Sequence, residues 1–175
     1  NPNCSTIQAM LPLKVLSDNY GIKRIIYSTY QAVSGAGMQG ISDLQDGLKG
    51  EAPKKFPYQI AGNCIPHIDV FLENGYTKEE VKLIEETKKI LHNSNLKITA
   101  TAVRVPVLNS HSESINVELE KPFELKDIFN LFNLLYPLEI RRDGMNIKEI
   151  STFIINKLKE NVLSYKFEDF TSSGS

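Results

Sequence analysis

The sequence predicts an α/β chain. Two patterns carry that prediction. Apolar residues at helical spacing recur in segments that alternate with short β-branched and aromatic runs, and one such run shows strict period-two alternation. A third observation is size: 175 residues, 41% hydrophobic and 23% charged, can bury one domain core without a metal or a disulfide.

Each element has its own signal. Over residues 4–18, Ile7, Met10, Leu11 and Leu13 are spaced for a helix facing a core, and Pro12 is expected to kink it or end it near Leu11. Residues 22–30 are rich in β-branched and aromatic types and predict a largely buried strand. A second helix is expected over 35–49, with Met38, Ile41, Leu44 and Leu48 on one side. Residues 50–57 read as a loop, and 60–71 is ambiguous around Pro66. The plainest helix covers 77–91, where Thr77 and Glu80 have capping-box spacing and Val81, Ile84 and Leu91 share a face. Strands follow over 96–107 and 110–119; in the second, Ile115, Val117 and Leu119 alternate with Asn116 and Glu118, as in a sheet with one wet face. Helices are expected again over 125–135 and 148–162. The polar residues 171–175 form an expected disordered tail, leaving 1–170 as the folded unit.

Charge narrows the function classes. Twenty Lys+Arg balance 21 Asp+Glu for a net charge of −1, which argues against a nucleic-acid binder and a basic membrane-surface protein. No apolar run approaches the ~18 residues of a membrane span. Two cysteines, Cys4 and Cys64, cannot build a disulfide scaffold or a four-cysteine zinc site, so no metal is expected and a reducing, cytoplasmic setting is. The chain starts at Asn1 without a signal-peptide pattern and reads as part of something longer.

Gly35, Gly37 and Gly40 satisfy G-x-G-x-x-G between a predicted strand and helix, the pattern of a dinucleotide turn. No carboxylate lies about 20 residues further on, and 54–57 makes a poor second parallel strand, so a tight turn in which glycine supplies positive φ is favoured. Cys4 opens a helix, where unpaired amides can lower a thiol pKa. His111 sits between two predicted strands, where an imidazole can face a cleft. Arg104 lies in a strand of Thr, Ala and Val, and an Arg in such company needs an anionic partner. Glu86 and Lys89, three apart on a helix, face the same way.

Together these motifs resemble the aspartate-semialdehyde dehydrogenase family. The resemblance rests on Asn1-Pro2-Asn3-Cys4-Ser5-Thr6, on Ser28-Thr29-Tyr30-Gln31-Ala32-Val33-Ser34-Gly35-Ala36-Gly37, and on Glu86-Thr87-Lys88-Lys89, Arg104-Val105-Pro106-Val107 and His111-Ser112-Glu113-Ser114, in that order over residues 1–120. It implies a mixed, largely antiparallel sheet covered by helices, as in the family's carboxy-terminal catalytic and dimerisation domain. It implies NADPH-dependent reductive dephosphorylation of aspartyl phosphate to aspartate semialdehyde, on the way to lysine (through diaminopimelate), threonine and methionine. In the roles it implies, Cys4 forms a thioester, His111 is the acid/base, and Gln31 orients the intermediate. Arg104 clamps the substrate carboxylate, Glu86 meets its ammonium group and Lys89 the phosphate, while Ser34 and Gly35 touch NADP. A homodimer or tetramer is implied.

The family's amino-terminal nucleotide-binding domain is absent from the sequence, and beyond Asn133 the match breaks into islands at 135–137, 141–143 and 144–146. The isolated chain is therefore expected to be inactive and not to bind NADP by itself. The alternative reading is a non-catalytic dimerisation module. A Cys–His hydrolase is disfavoured because it leaves Glu86, Lys89 and Arg104 unexplained.

Overall fold

The computed structural model describes residues 1–135 and 162–168. In chain order the elements are α1 (Cys4–Tyr20), β1 (Ile22–Gln31), a 3-10 turn (Val33–Ala36), α2 (Met38–Gly47), α3 (Lys78–Ile90), β2 (Lys97–Arg104), β3 (Ser112–Leu119), α4 (Leu125–Leu135) and β4 (Val162–Glu168). The sheet runs β2-β1-β3-β4. The β1–β2 pair is parallel and the β1–β3 and β3–β4 pairs are antiparallel, so the expected mixed, largely antiparallel sheet is what forms.

Helices α1 and α3 cover one face of the sheet. That face is built by the period-two alternation read from the sequence: Ile25 and Tyr27 on β1, Ala100 and Ala102 on β2, and Ile115, Val117 and Leu119 on β3 are all buried. All of these but Ala102 pack with Ala9, Leu13 and Leu16 of α1 and Leu83 and Ile84 of α3 in one hydrophobic core. Tyr27 is fully buried, and its hydroxyl pairs with Thr87 Oγ1 of α3 at 2.8 Å, which removes the cost of hiding it. The other face carries rows in register, such as Thr101–Ser28–Ser114 and Val103–Tyr30–Ser112, and no described helix lies on it.

Three expectations differ from what forms. The first helix does not stop at Leu11 but runs through Pro12 to Tyr20. The lost hydrogen bond and ring clash cost about 3 kcal/mol, which burial of Leu13, Val15 and Leu16 beyond the proline outweighs. The second helix starts at Met38, after the 3-10 turn, and Met38 and Leu48 are exposed rather than buried. Its inward face is Gly40, Asp43, Leu44 and Gly47, and a Cβ on Gly40 would sit 2.5 Å from the Val33 carbonyl, so close backbone approach replaces apolar contact there. Val162, expected to end a helix, starts strand β4 instead. The rest of the expected helix at 148–161, and the tail at 171–175, lie outside the described residues.

The strand expected at 22–30 is β1, with its buried positions alternating with partly or fully exposed ones from Ile25 on. The helix at 77–91 is α3, and both capping-box bonds are present: the Thr77 side chain accepts from the Glu80 amide, and Glu80 accepts from the Thr77 amide. No helix among the described residues is long and apolar enough to cross a membrane.

Candidate active site

Strand register assembles the site. Gln31, the last residue of β1, lies beside Arg104, the last of β2, while Tyr30 pairs with Ser112 at the start of β3. His111 immediately precedes that start, so Gln31, Arg104 and His111 come to one end of the sheet from three segments distant in sequence. Two helix N-termini point at the same end. Asn3 caps α1 by accepting from the Ser5 and Thr6 amides, at 2.9 and 3.4 Å, and this places Cys4 in the first turn. Glu79 sits in the first turn of α3, where a carboxylate suits the positive end of the helix.

Glu79 links these pieces. Its Oε1 accepts from Asn3 Nδ2 at 2.8 Å and from Gln31 Nε2 at 3.1 Å, so it joins the α1 cap to the end of β1. Gln31 also donates to Thr29 Oγ1 at 3.2 Å. Lys82 stands 3.6 Å from Glu79 Oε2 and 3.2 Å from Asp69 Oδ2. The sequence reading did not single out Glu79 or Lys82. They repeat the i, i+3 spacing of Glu86 and Lys89 two turns earlier on the same helix, so periodicity cannot separate the pairs. Their place beside the Thr77 capping box was the available clue.

The structure splits the Glu86–Lys89 pair: Glu86 touches the cluster through Asn3 and Lys89 does not. Glu86 Oε2 accepts from the Asn3 backbone amide at 2.7 Å and so tethers the α1 entry rather than facing Gln31. Lys89 is in the last turn of α3, about 15 Å along the axis from Glu79, on a shallow surface cleft with Glu85, Lys88 and His92.

Ala32 holds the other two groups. Its carbonyl accepts from Arg104 Nη1 at 2.7 Å, and its amide donates to His111 Nδ1 at 3.0 Å. Because Nδ1 is an acceptor, the proton of the neutral imidazole is on Nε2. Gly35 lies against both side chains: a Cβ there would be 3.0 Å from Arg104 Nη1, 3.0 Å from His111 Cε1 and 3.2 Å from Nε2. Arg104 is also covered by the Phe56 ring at 5.8 Å. Phe56 is held by Asp43, whose carboxylate accepts from the amides of Lys54, Lys55 and Phe56 at 2.7–2.8 Å. Although burial works against its charge, these three bonds hold the Asp43 carboxyl below its usual range.

The electrostatics correct one expectation. The Cys4 thiol is raised rather than lowered: although the residue is exposed, its sulfur is partly desolvated, and the Glu79 charge adds to this, with help from Ser5 that does not compensate. Burial pushes the Arg104 guanidinium down, opposed by Glu79 and Cys4, so all three lie in one electrostatic neighbourhood. Cys64 is likewise a free, exposed thiol. In the glycine-rich turn Gly37 has φ +76, the positive value expected of a tight turn. The amides of Ser34, Gly35 and Gly37 are already bonded to the carbonyls of Leu108, Ala32 and Ser34. With β1 flanked by antiparallel β3, this is not a dinucleotide fold.

The profile of the family described as semialdehyde dehydrogenase, dimerisation domain, matches residues 13–148. The chain belongs to this family. Gln31, Glu79, Arg104 and His111 fall inside the match, and Cys4 precedes it. Among curated semialdehyde dehydrogenases, the aspartate-semialdehyde dehydrogenase of Aquifex aeolicus is 50% identical over 164 residues, covering 82% of this chain and 48% of that protein. The enzyme of Campylobacter jejuni is 51% identical over 134 residues, covering 72% and 39%. The chain thus spans about half or less of the length of these relatives. Aspartate semialdehyde dehydrogenase II of Vibrio cholerae, solved in complex with ASA, is similar at 42% identity and TM-score 0.74, over 83% of this chain and 45% of that one. The Candida albicans enzyme, solved with NADP, is similar at 28% identity and TM-score 0.53, over 74% and 33%.

Proposed function

We propose that this chain carries the nucleophile and substrate-binding half of an aspartate-semialdehyde dehydrogenase, which reductively dephosphorylates aspartyl phosphate through a thioester on Cys4. The observation that supports this reading best is the convergence of Cys4, Gln31, Glu79, Arg104 and His111 at one end of the sheet. The Cys4 thiol gives its proton to solvent, the thiolate attacks the acyl carbon, a C–S bond forms, and the C–O bond to phosphate breaks with release of inorganic phosphate. NADPH, when bound, supplies the hydride that reduces the thioester to a thiohemiacetal. His111 donates its Nε2 proton to the developing oxyanion and takes it back as the C–S bond breaks and the aldehyde leaves. Arg104, anchored on Ala32 and braced by Phe56, clamps the substrate carboxylate. Glu79, with Gln31 against it, meets the ammonium group, and Lys82 the phosphate, in place of Glu86 and Lys89. Gly35 lies against the imidazole and its bare Cα leaves that edge open; Ser34 and Gly35 are the residues that would meet NADP if it binds. An ammonium group on Glu79 would offset the Glu79 charge, the second cause of the raised Cys4 thiol, while the first, desolvation, stays.

The acyl-transfer half of this reaction needs no cofactor, so the chain can be tested directly. Incubated with aspartyl phosphate, it should release phosphate and gain one hydroxylamine-labile aspartyl group on the Cys4 peptide. It should not reduce NADP from semialdehyde and phosphate by itself, because these 175 residues span only about half the length of the curated relatives. Absence of the adduct on folded protein would favour a purely non-catalytic dimerisation module.

Assembly follows from the open sheet face. We propose a homodimer through this face, where Ile26, Tyr30 and Val103 stand among Ser and Thr and no described element covers them. Sedimentation at micromolar concentration should give about twice the 19.7 kDa chain mass. A stable monomer there would refute the dimer.

A further inference from the structure

The two oxygens of Glu79 have different neighbours. Oε1 accepts from Asn3 Nδ2 and Gln31 Nε2, while Oε2 faces Lys82 Nζ at 3.6 Å, just beyond hydrogen-bond reach. With Oε1 engaged twice, Oε2 is the oxygen left for the proposed substrate ammonium group. Lys82 is thus a cation waiting beside the seat of another. Asp69 keeps it from closing: Asp69 Oδ2 accepts from Lys82 Nζ at 3.2 Å, the shorter of the two contacts. Burial works against the Lys82 charge, but the Asp69 bond and the Glu79 charge hold it above its usual range, so the lysine stays a cation.

Asp69 is itself fixed by the backbone around it. It lies at φ +67, a left-handed position that Asp and Asn tolerate better than most residues with a side chain. Its Oδ1 accepts from the next amide, that of Val70, at 2.9 Å. From there a hairpin carries the chain into α3. The Leu72 amide donates to the Tyr76 carbonyl at 2.8 Å, and the Lys78 amide, at the start of α3, donates to the Val70 carbonyl at 2.9 Å. That last bond satisfies a helix-start amide and sets Asp69 against the first turns of α3, where Glu79 and Lys82 sit. The Asp69–Lys82 pair is half exposed and adds little to stability. Its consequence is where it puts the ammonium group at the end of a flexible four-carbon stem.

We propose that Asp69 is a positioning residue that holds Lys82 off Glu79, which leaves Glu79 Oε2 open to the substrate ammonium group and leaves Lys82 N–H groups for the phosphate. Without it, Lys82 closes on Glu79 and competes with the substrate for the same oxygen.

The assignment rests on the reading of Glu79 as the ammonium seat, yet its first test needs no substrate. In a Cys64→Ser background, alkylation of Cys4 at about pH 7.5 reports the Glu79 charge, which raises that thiol. Asp69→Asn keeps the left-handed backbone and the Oδ1 acceptor but sets an amide N–H against Lys82. Lys82 should then close on Glu79, and Cys4 should react about threefold faster. In a Lys82→Met background the same change should do nothing, since no cation remains to move. Unchanged alkylation in Asp69→Asn would overturn the proposal, and so would an equal gain with and without Lys82, which is what simple loosening of the hairpin gives. Asp69→Gly also accepts this φ, should behave as Asp69→Asn, and replaces it if that variant does not fold. With aspartyl phosphate, Asp69→Asn should raise the half-saturating concentration for thioester formation about fivefold and keep the maximal rate within about twofold. With succinyl phosphate, which lacks the ammonium group, saturation should not move; an equal rise there would also sink the assignment. If the parent forms no thioester while alkylation behaves as stated, the enzymatic reading is lost and the placement of Lys82 by Asp69 stands.

Discussion

Glu79→Gln should slow thioester formation from aspartyl phosphate by about a hundredfold while making the free Cys4 thiol more reactive. The two signs come from one charge. Glu79 is buried at the α3 N-terminus and raises the Cys4 thiol by like-charge repulsion, so removing the charge lets the thiolate form at lower pH. The same carboxylate is the proposed seat of the substrate ammonium group. Leaving that cation with a neutral amide costs about 3 kcal/mol, a typical loss for breaking a desolvated charge pair. Glutamine still accepts from Asn3 and Gln31, so the cap of α1 and the end of β1 should hold. Acyl-phosphate kinetics and alkylation at about pH 7.5 separate the effects; both rates falling together would indicate structural damage instead.

Asp43→Ala should be the most destabilising of the single changes considered, by about 3 kcal/mol, seen as a melting-temperature drop of roughly 6–12 °C. Its carboxylate accepts three successive backbone amides, from Lys54, Lys55 and Phe56, and removing it strands all three donors. The pH dependence follows. The folded carboxyl is held below its ordinary value of about 3.9, so its contribution is complete above that value and is lost as pH falls through the folded pKa. Urea unfolding at about pH 7 and about pH 3 should show the wild type losing more stability than Asp43→Asn, which has no charge to lose. Identical losses would mean the three bonds do not depend on the charge. The loop also presents Phe56 to Arg104, so Asp43→Ala should weaken substrate carboxylate binding as well.

Much of the scaffold was legible because its causes are local. The Thr77–Glu80 box needs only four residues to close, and it starts α3 where expected. The alternation of Ile115, Val117 and Leu119 sets one buried face of β3 whatever strand lies beside it. Pro12 does not end α1 because its cost is local while its compensation, the burial of Leu13 and Leu16, comes from elsewhere in the fold. Met38 and Leu48 misled for a similar reason: α2 turns a glycine-lined face inward, and close backbone contact has no hydrophobic signature.

The sequence by itself determined the family resemblance, the order of the motifs and the helix start that presents Cys4. Only the tertiary structure showed that Glu79 as well as Glu86 reaches Asn3, the cap beside Cys4, and that Glu79 also accepts from Gln31. It also reversed the expected effect on the Cys4 thiol. Helix-start amides act within one turn, whereas the burial around the sulfur and the charge of Glu79 arrive from elements far away in sequence. Coulomb and desolvation energies depend on distances through space, and those were set by how the helices settled on the sheet.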